Sequence, residues 1–260
     1  MQCNVNVLMN VYNEAEFVSY ALQACLPYVK SVTVVEGAYK EAIAVGASPR
    51  STDGTVNIVK SFFLKSLFPS VKQKMYMLEA NEKSDPHQRN VGLRHIQEMD
   101  PNGWLLIIDG DEVYEPFTFR MIEALTRKMN HAGAKAAYFK SLTFVNDFEH
   151  YCEQEFPRLF KLTPDCSFVN DNYVQWGNKM DWAPPTVIKA PNIHFHHYSF
   201  CKGKERFDLK KRWWETRFGR PFEYSWHLDE NGDIVDNNHV IKPYRGKHPE
   251  IICQHPLMKK

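Results

Sequence analysis

The chain has 260 residues, with 32 Lys plus Arg against 31 Asp plus Glu, a formal net charge of +1. That length suits one large domain, or one domain with an appendage, able to bury a core without covalent staples. With 43% hydrophobic and 24% charged residues the chain is not disordered. Its near-neutrality excludes a globally basic nucleic-acid binder while leaving room for a local basic face. No apolar run approaches the roughly 18 residues of a membrane span. The start, MQCNVNVLMNVYNEAE, lacks a basic stretch followed by an apolar one. Cys3, Cys25, Cys152, Cys166, Cys201 and Cys253 form no CxxC pair and read as reduced thiols, most of them small buried residues, in a cytoplasmic protein. The aromatic content (13%) and 11 His need a specific explanation.

The first 115 residues alternate between strand-like and helix-like patterns. Val5 to Val11 is β-type, and Glu14 to Leu26 has helical spacing closed by Pro27. SVTVVEG (31–37) is a second strand. STDGT (51–55) has turn chemistry, with Thr52 or Asp53 placed to cap the helix carrying Val56, Val59 and Phe63. A strand at 75–80, a helix at 87–99 and the apolar WLLII (104–108) follow. Unbroken apolar runs between helices predict strands of a mostly parallel sheet flanked by helices. In the second half, strands are predicted at 136–145 and 193–200, a helix at 204–218 and a hairpin around Asn231-Gly232, with 146–192 irregular.

In an open parallel sheet, ligands bind beyond the carboxyl ends of the strands. Asn13-Glu14 follows the first strand, Glu36 ends the second, and Asp109-Gly110-Asp111-Glu112 follows the run at 104–108. Core packing asks for none of these. Two carboxylates one residue apart on a glycine turn suit a hard divalent cation with coordination positions left for phosphate. A lone DxD is also a common solvated turn, but here an apolar strand feeds it. An EF-hand is excluded, since neither 109–120 nor 229–240 has Gly sixth and Glu twelfth. His194, His196 and His197 lie on a predicted strand whose alternation puts the first two on one face and His197 on the other. Arg89 at a helix start is placed to meet a pyrophosphate.

Taken in order, VYNEA (11–15), VVEGA (34–38), STDGT (51–55), QRNVGL (88–93) and IIDGDEV (107–113) resemble a family 2 glycosyltransferase with the GT-A fold. FPRLFK (156–161), HHYS (196–199) and KPYRGKHPE (242–250) resemble a bacterial and phage branch of such enzymes. The resemblance implies an α/β GT-A domain over 1–203, with a nucleotide-binding half at 1–115 and an acceptor half at 116–203. A helical and hairpin extension at 204–260 would pack on it. It implies that Asn13 and Glu14 begin the nucleotide pocket, that Glu36 faces the base and that Arg89 meets phosphates or base. Asp109 would hold ribose or metal, with Asp111 and His197 completing a site for Mn²⁺ or Mg²⁺. An inserted stretch, 38–50, precedes STDGT and leaves Asp53 as a helix cap.

The implied reaction is transfer of a sugar from a nucleotide-diphosphate sugar, UDP-sugar favoured, to an acceptor hydroxyl, inverting at the anomeric carbon with one carboxylate base. Candidate bases are Asp147, Glu149, Asp171 and Asp181; Asp181, among aromatics in KMDWAPP, is favoured. Trp176 and Trp182 are either an acceptor platform or simple packing. The helix at 204–218 carries Lys204, Arg206, Lys210, Lys211, Arg212 and Arg217 with Trp213 and Trp214. It is either a solvated basic face or a contact for an anionic acceptor: a glycan, a lipid-linked saccharide at a membrane surface, or modified DNA. The rivals are a nucleotidyltransferase making sugar nucleotides, against which VYNEAEF lacks a Gly-rich loop, and a nucleic-acid-binding module using that helix.

Overall fold

The computed structural model describes residues 3–68, 74–202, 204–219, 221 and 226–259, the side chains of Lys204 and Lys259 lying outside that description. In chain order the first half contains β1 (Cys3–Val11), α1 (Val18–Cys25), β2 (Val29–Glu36), α2 (Lys40–Ile43), α3 (Thr55–Ser66), β3 (Lys74–Glu79), α4 (Asp85–Met99), β4 (Trp104–Ile107) and β5 (Glu112–Val113). Then come α5 (Pro116–Ala132), β6 (Ala136–Val145), β7 (His150–Lys161), β8 (Cys166–Phe168), β9 (Val174–Trp176), β10 (Val187–Phe200), α6 (Lys204–Phe218), β11 (Trp226–Leu228), β12 (Ile234–Asp236) and β13 (Lys242–Pro243).

The main sheet runs β3-β2-β1-β4-β7-β6-β10-β5, with β13 on β7. Its first four strands are parallel, as their apolar runs predict, and β6 and β10 form a second parallel pair. The antiparallel strand β7 joins the two parts. The α/β class with a central sheet flanked by helices is thus present, and all its parallel ends in the first part point the same way. Val5, Val7, Met9, Val32, Val34 and Leu106 are fully buried against α1 and α5 on one face, while Leu8, Val35, Leu105 and Ile107 pack with Leu93 and Ile96 of α4 on the other. Burial on both faces explains why these strands read as continuous apolar runs.

The region read as irregular, 146–192, instead contains the twelve-residue β7, the β8–β9 ribbon and the start of β10. Its sequence, HYCEQEFPRLFK, hides the strand. The first half is polar because it is partly exposed, and Pro157 interrupts the pattern. Pairing with β6 jumps from Ala137↔Leu159 to Tyr138↔Pro157, so Arg158 has no partner in that ladder. Such a bulge re-aims a side chain, and here it turns Arg158 toward the parallel-strand ends.

The STDGT turn is bolted to the end of β1. Asn13, at φ 51, donates its N–H to Ser51 Oγ and accepts the Thr52 N–H at Oδ1. Thr55 Oγ1 accepts the Glu14 N–H at 2.6 Å. Asp53 accepts the Ala15 and Thr55 N–H groups, holding the two loops together; Gly54, at φ 99, occupies the cap position itself. The inserted 38–50 stretch folds as α2 and packs Ala38, Ala42 and Ala47 beneath Leu209 and Trp213 of α6. Gly37 is required by close approach as well as by its φ of 137: a Cβ there would lie 2.2 Å from the Ala80 carbonyl oxygen.

The His and aromatic surplus has a largely structural explanation. Phe17, Phe144, Phe148 and Tyr198 form a buried ring cluster on which His196 and His255 stack, with His248 tilted against Phe144. His196 shares a hydrogen bond with Tyr244 OH, and His248 with Tyr198 OH, each at 2.9 Å. KPYRGKHPE is therefore the strap that closes this cluster. Burial pushes the His196 imidazole down to about 3, so it stays neutral. All six cysteines are free, and only Cys253 is exposed. Among the described residues no helix is long and apolar enough to cross a membrane.

Candidate active site

A cavity of about 380 Å³ opens at the carboxyl ends of β1, β2 and β4, beneath α6. Its lining includes Asn10, Glu14, Asp109, Gly110 and Asp111 from the parallel-strand ends, Asp85 and Arg89 from α4, and Arg158 and His197 from β7 and β10. Lys202, Arg206, Lys210, Trp213 and Trp214 close it from the C-terminal side. Gly110 has room for little else: a Cβ there would sit 3.0 Å from Glu14 Cγ.

The charges form three linked groups. Arg89 bridges Asp85 (Nε to Oδ2, 2.7 Å) and Asp109 (Nη2 to Oδ1, 2.9 Å), and its buried Nη1 has no hydrogen-bond partner. Arg158 bridges Asp109 at 3.2 Å and Glu112 at 2.5 Å. Lys202 Nζ lies 2.5 Å from both Glu14 Oε2 and Asp111 Oδ2. Arg206 adds a 2.8 Å contact to Glu14 Oε1, and His197 Nε2 stands 3.4 Å from Asp111 Oδ1.

These pairings set the ionisation. Burial opposes the charge of Asp109, but the Arg89 and Arg158 guanidiniums outweigh it and hold the carboxyl below its usual range. Burial likewise opposes Asp111, and Lys202 with His197 holds it well below. Glu112 goes the other way: its burial raises the carboxyl despite Arg158. Lys202 keeps its proton because Asp111 and Glu14 overcome the cost of burial.

The predicted residues separate into two sets. Glu14, Arg89, Asp109, Asp111 and His197 converge on the cavity. Asn13 and Glu36 do not line it: Asn13 holds the STDGT turn, and Glu36, fully buried, accepts the Ser51 N–H and pairs with Arg50 at 3.1 Å. Glu36 is drawn away by the inserted stretch, which supplies Arg50. Asp181 is not brought to the cavity either. It is exposed, and its carboxylate accepts the Thr186 hydroxyl at 2.8 Å within its own turn. Asp147 sits in the β6–β7 turn accepting the Glu149 and His150 N–H groups. Of the four candidate bases, Asp171 alone lines the cavity, held by Arg217 through contacts of 3.0 and 2.6 Å. Trp176 and Trp182 take the packing role: their Nε1 groups donate to the Lys161 and Val174 carbonyls within the β8–β9 cluster. Trp213 and Trp214 reach the cavity instead.

Of the three expected metal ligands, Asp111 and His197 stand together at 3.4 Å, but both carboxylates of the set are occupied by cations. Asp109 is spanned by two guanidiniums, and an ammonium lies between Asp111 and Glu14. Among the described residues no three His, Cys, Asp or Glu side chains gather as a metal-binding group. The donor set as folded does not fit a divalent ion. Arg158 and Lys202 had no role in the sequence reading; FPRLFK and the residues just after HHYS carried the only signal of them.

No family model and no curated protein matches the chain. Among solved structures, S. aureus TarS 1–349 is similar at 18% identity with a TM-score of 0.36, over 54% of this chain and 36% of that one. The same protein in complex with UDP-GlcNAc gives 17% and 0.38, over 54% and 35%. A further S. aureus TarS structure gives 18% and 0.37, over 54% and 22%. The match therefore spans 36% or less of each of those chains.

Proposed function

We propose that this chain is a glycosyltransferase moving a sugar from a nucleoside diphosphate to an acceptor hydroxyl. The observation that carries this reading is a single cavity of mixed sign at the parallel-strand ends, where Glu14, Asp109 and Asp111 face Arg89, Lys202, Arg206 and Lys210. Carboxylates there suit the hydroxyls of a ribose and a sugar, and clustered cations suit a diphosphate. The ordered motifs from VYNEA to IIDGDEV support the same reading. Asp171 is the base in this scheme, taking the acceptor's proton as the hydroxyl attacks; one base and direct displacement invert the anomeric centre. The basic helix favours this over a nucleic-acid-binding module. Its Arg206, Lys210 and Arg217 turn inward to Glu14, Ser199 and Asp171 instead of forming a solvated face.

The decisive test is thermal unfolding with nucleoside diphosphates, UDP first, alongside a hydrolysis screen of sugar nucleotides. UDP at 100 times its Kd is expected to stabilise the fold by about 2.7 kcal/mol. No shift with any nucleoside diphosphate and no hydrolysis of any sugar nucleotide would overturn the proposal.

Lys210 predicts a pH dependence. Burial, reinforced by Lys202 and Arg206, pushes its ammonium down to about 8. The empty protein therefore loses this charge as pH rises through 8. A bound diphosphate favours the charged form, so binding takes up a proton above that pH. UDP affinity is expected to fall by up to about tenfold per unit above pH 8, and Lys210→Met to flatten the profile. An unchanged profile in the variant would remove Lys210 from diphosphate binding.

A further inference from the structure

We propose that the Lys202 ammonium is the built-in cation of this site, taking the diphosphate charge that the family resemblance assigns to a divalent metal. The inference rests on the donor reading above. Lys202 Nζ sits 2.5 Å from a carboxylate oxygen of Glu14 and of Asp111, the residue that resemblance makes the chief metal ligand. Its side chain is 8% exposed, so it is fixed by the fold rather than swung in from solvent. Arg206 completes the pair from the same side, on Glu14 Oε1 at 2.8 Å.

The charge arrangement supports substitution. Two buried carboxylates facing each other need a counter-cation, and either a divalent ion or an ammonium satisfies them. An ammonium that spends two of its three N–H groups on carboxylates has one left for a phosphate oxygen. Arg89 Nη1, buried and unpartnered, offers a second such donor across the cavity. In the transfer, the acceptor oxygen forms a bond to the anomeric carbon while the bond from that carbon to the phosphate oxygen breaks. The electron pair leaves with the diphosphate, whose added negative charge falls to Lys202 and Arg206, and the acceptor proton goes to Asp171.

Three measurements test this. First, UDP binding to the wild-type chain is followed calorimetrically in EDTA and in Mn²⁺; equal affinity is expected. Second, free Mn²⁺ is titrated against the protein without nucleotide and read by electron paramagnetic resonance, with no binding expected in the wild type. Third, Lys202→Ala, with Lys202→Met as the better-packed alternative, is put through both. Either variant should lose at least about tenfold in UDP affinity in EDTA. Lys202→Ala, with its two carboxylates freed, should gain Mn²⁺ binding and recover UDP affinity when the ion is present. If the wild type binds Mn²⁺ and holds UDP only in its presence, the substitution is wrong while the donor reading stands. If UDP binds under no condition, the donor reading fails and this inference with it. The wild-type titrations decide the matter even if neither variant folds.

Discussion

Arg158→Met is expected to cost the fold about 3–5 kcal/mol, the penalty of stranding a buried charge whose partner has been removed. The Arg158 side chain is 2% exposed and lies between Asp109 and Glu112, the latter fully buried. Methionine replaces the packing against Phe156 and Phe195 but leaves Glu112 without its guanidinium partner. The Glu112 carboxyl, already raised by burial, should rise further. A carboxyl whose folded pKa lies above its unfolded value contributes stability at low pH and loses it as pH climbs through that window. The variant's deficit should therefore be larger at pH 8 than at pH 5. Urea unfolding at the two pH values measures this, and Arg158→Met with Glu112→Gln should recover much of the loss. A single variant as stable as wild type at pH 8 would show that the buried triad is not holding the site together.

Asp171→Asn is expected to lower kcat by about 10²- to 10⁴-fold, the range for removing a general base, with UDP affinity changed only a few-fold. Asp171 lies between β8 and β9 and enters the cavity beside Asn172. Burial, followed by the nearby charge of Asp85, raises its carboxyl, with Arg217 pulling against them. That upward shift makes it a better proton acceptor than a solvated aspartate. Asparagine keeps the shape and can still bond Arg217 at one oxygen, so α6 should stay anchored, with Glu41 3.6 Å from the same guanidinium. Steady-state transfer and calorimetric UDP binding, measured on one preparation, separate the two effects. Retained transfer would return the base assignment to the remaining carboxylates.

How much of this was legible depended on whether a residue's role was local. β1, β2 and β4 announced themselves because burial on both faces leaves unbroken apolar runs, and the acidic ends stood out because nothing apolar accounts for them. The alternation of His194, His196 and His197 placed His197 alone toward Asp111, as the strand period requires. What did not show was decided by partners distant in the chain. β7 is half exposed and carries a proline, so no period marks it. Glu36 looked like a ligand-facing acid, and the insertion's own Arg50 claims it. Asp181 looked plausible among tryptophans that pack on one another and on the β8–β9 ribbon. Arg158 depends on a register jump between strands, and Lys202 on where a strand end meets a loop 188 residues earlier. The net charge of +1 conceals the result: a basic helix folded down on an acidic edge.

That last pairing has a consequence for how the chain is made. Glu14 leaves the ribosome 188 residues ahead of Lys202, and Arg206 follows four positions later still. Until then the edge that will become the site is a set of carboxylates with half their counter-charges unsynthesised, and they must remain hydrated. The nascent sheet can form its apolar faces early, but it cannot dry out its upper rim. The rim closes in a late step, when β10, the Lys202 loop and α6 arrive together.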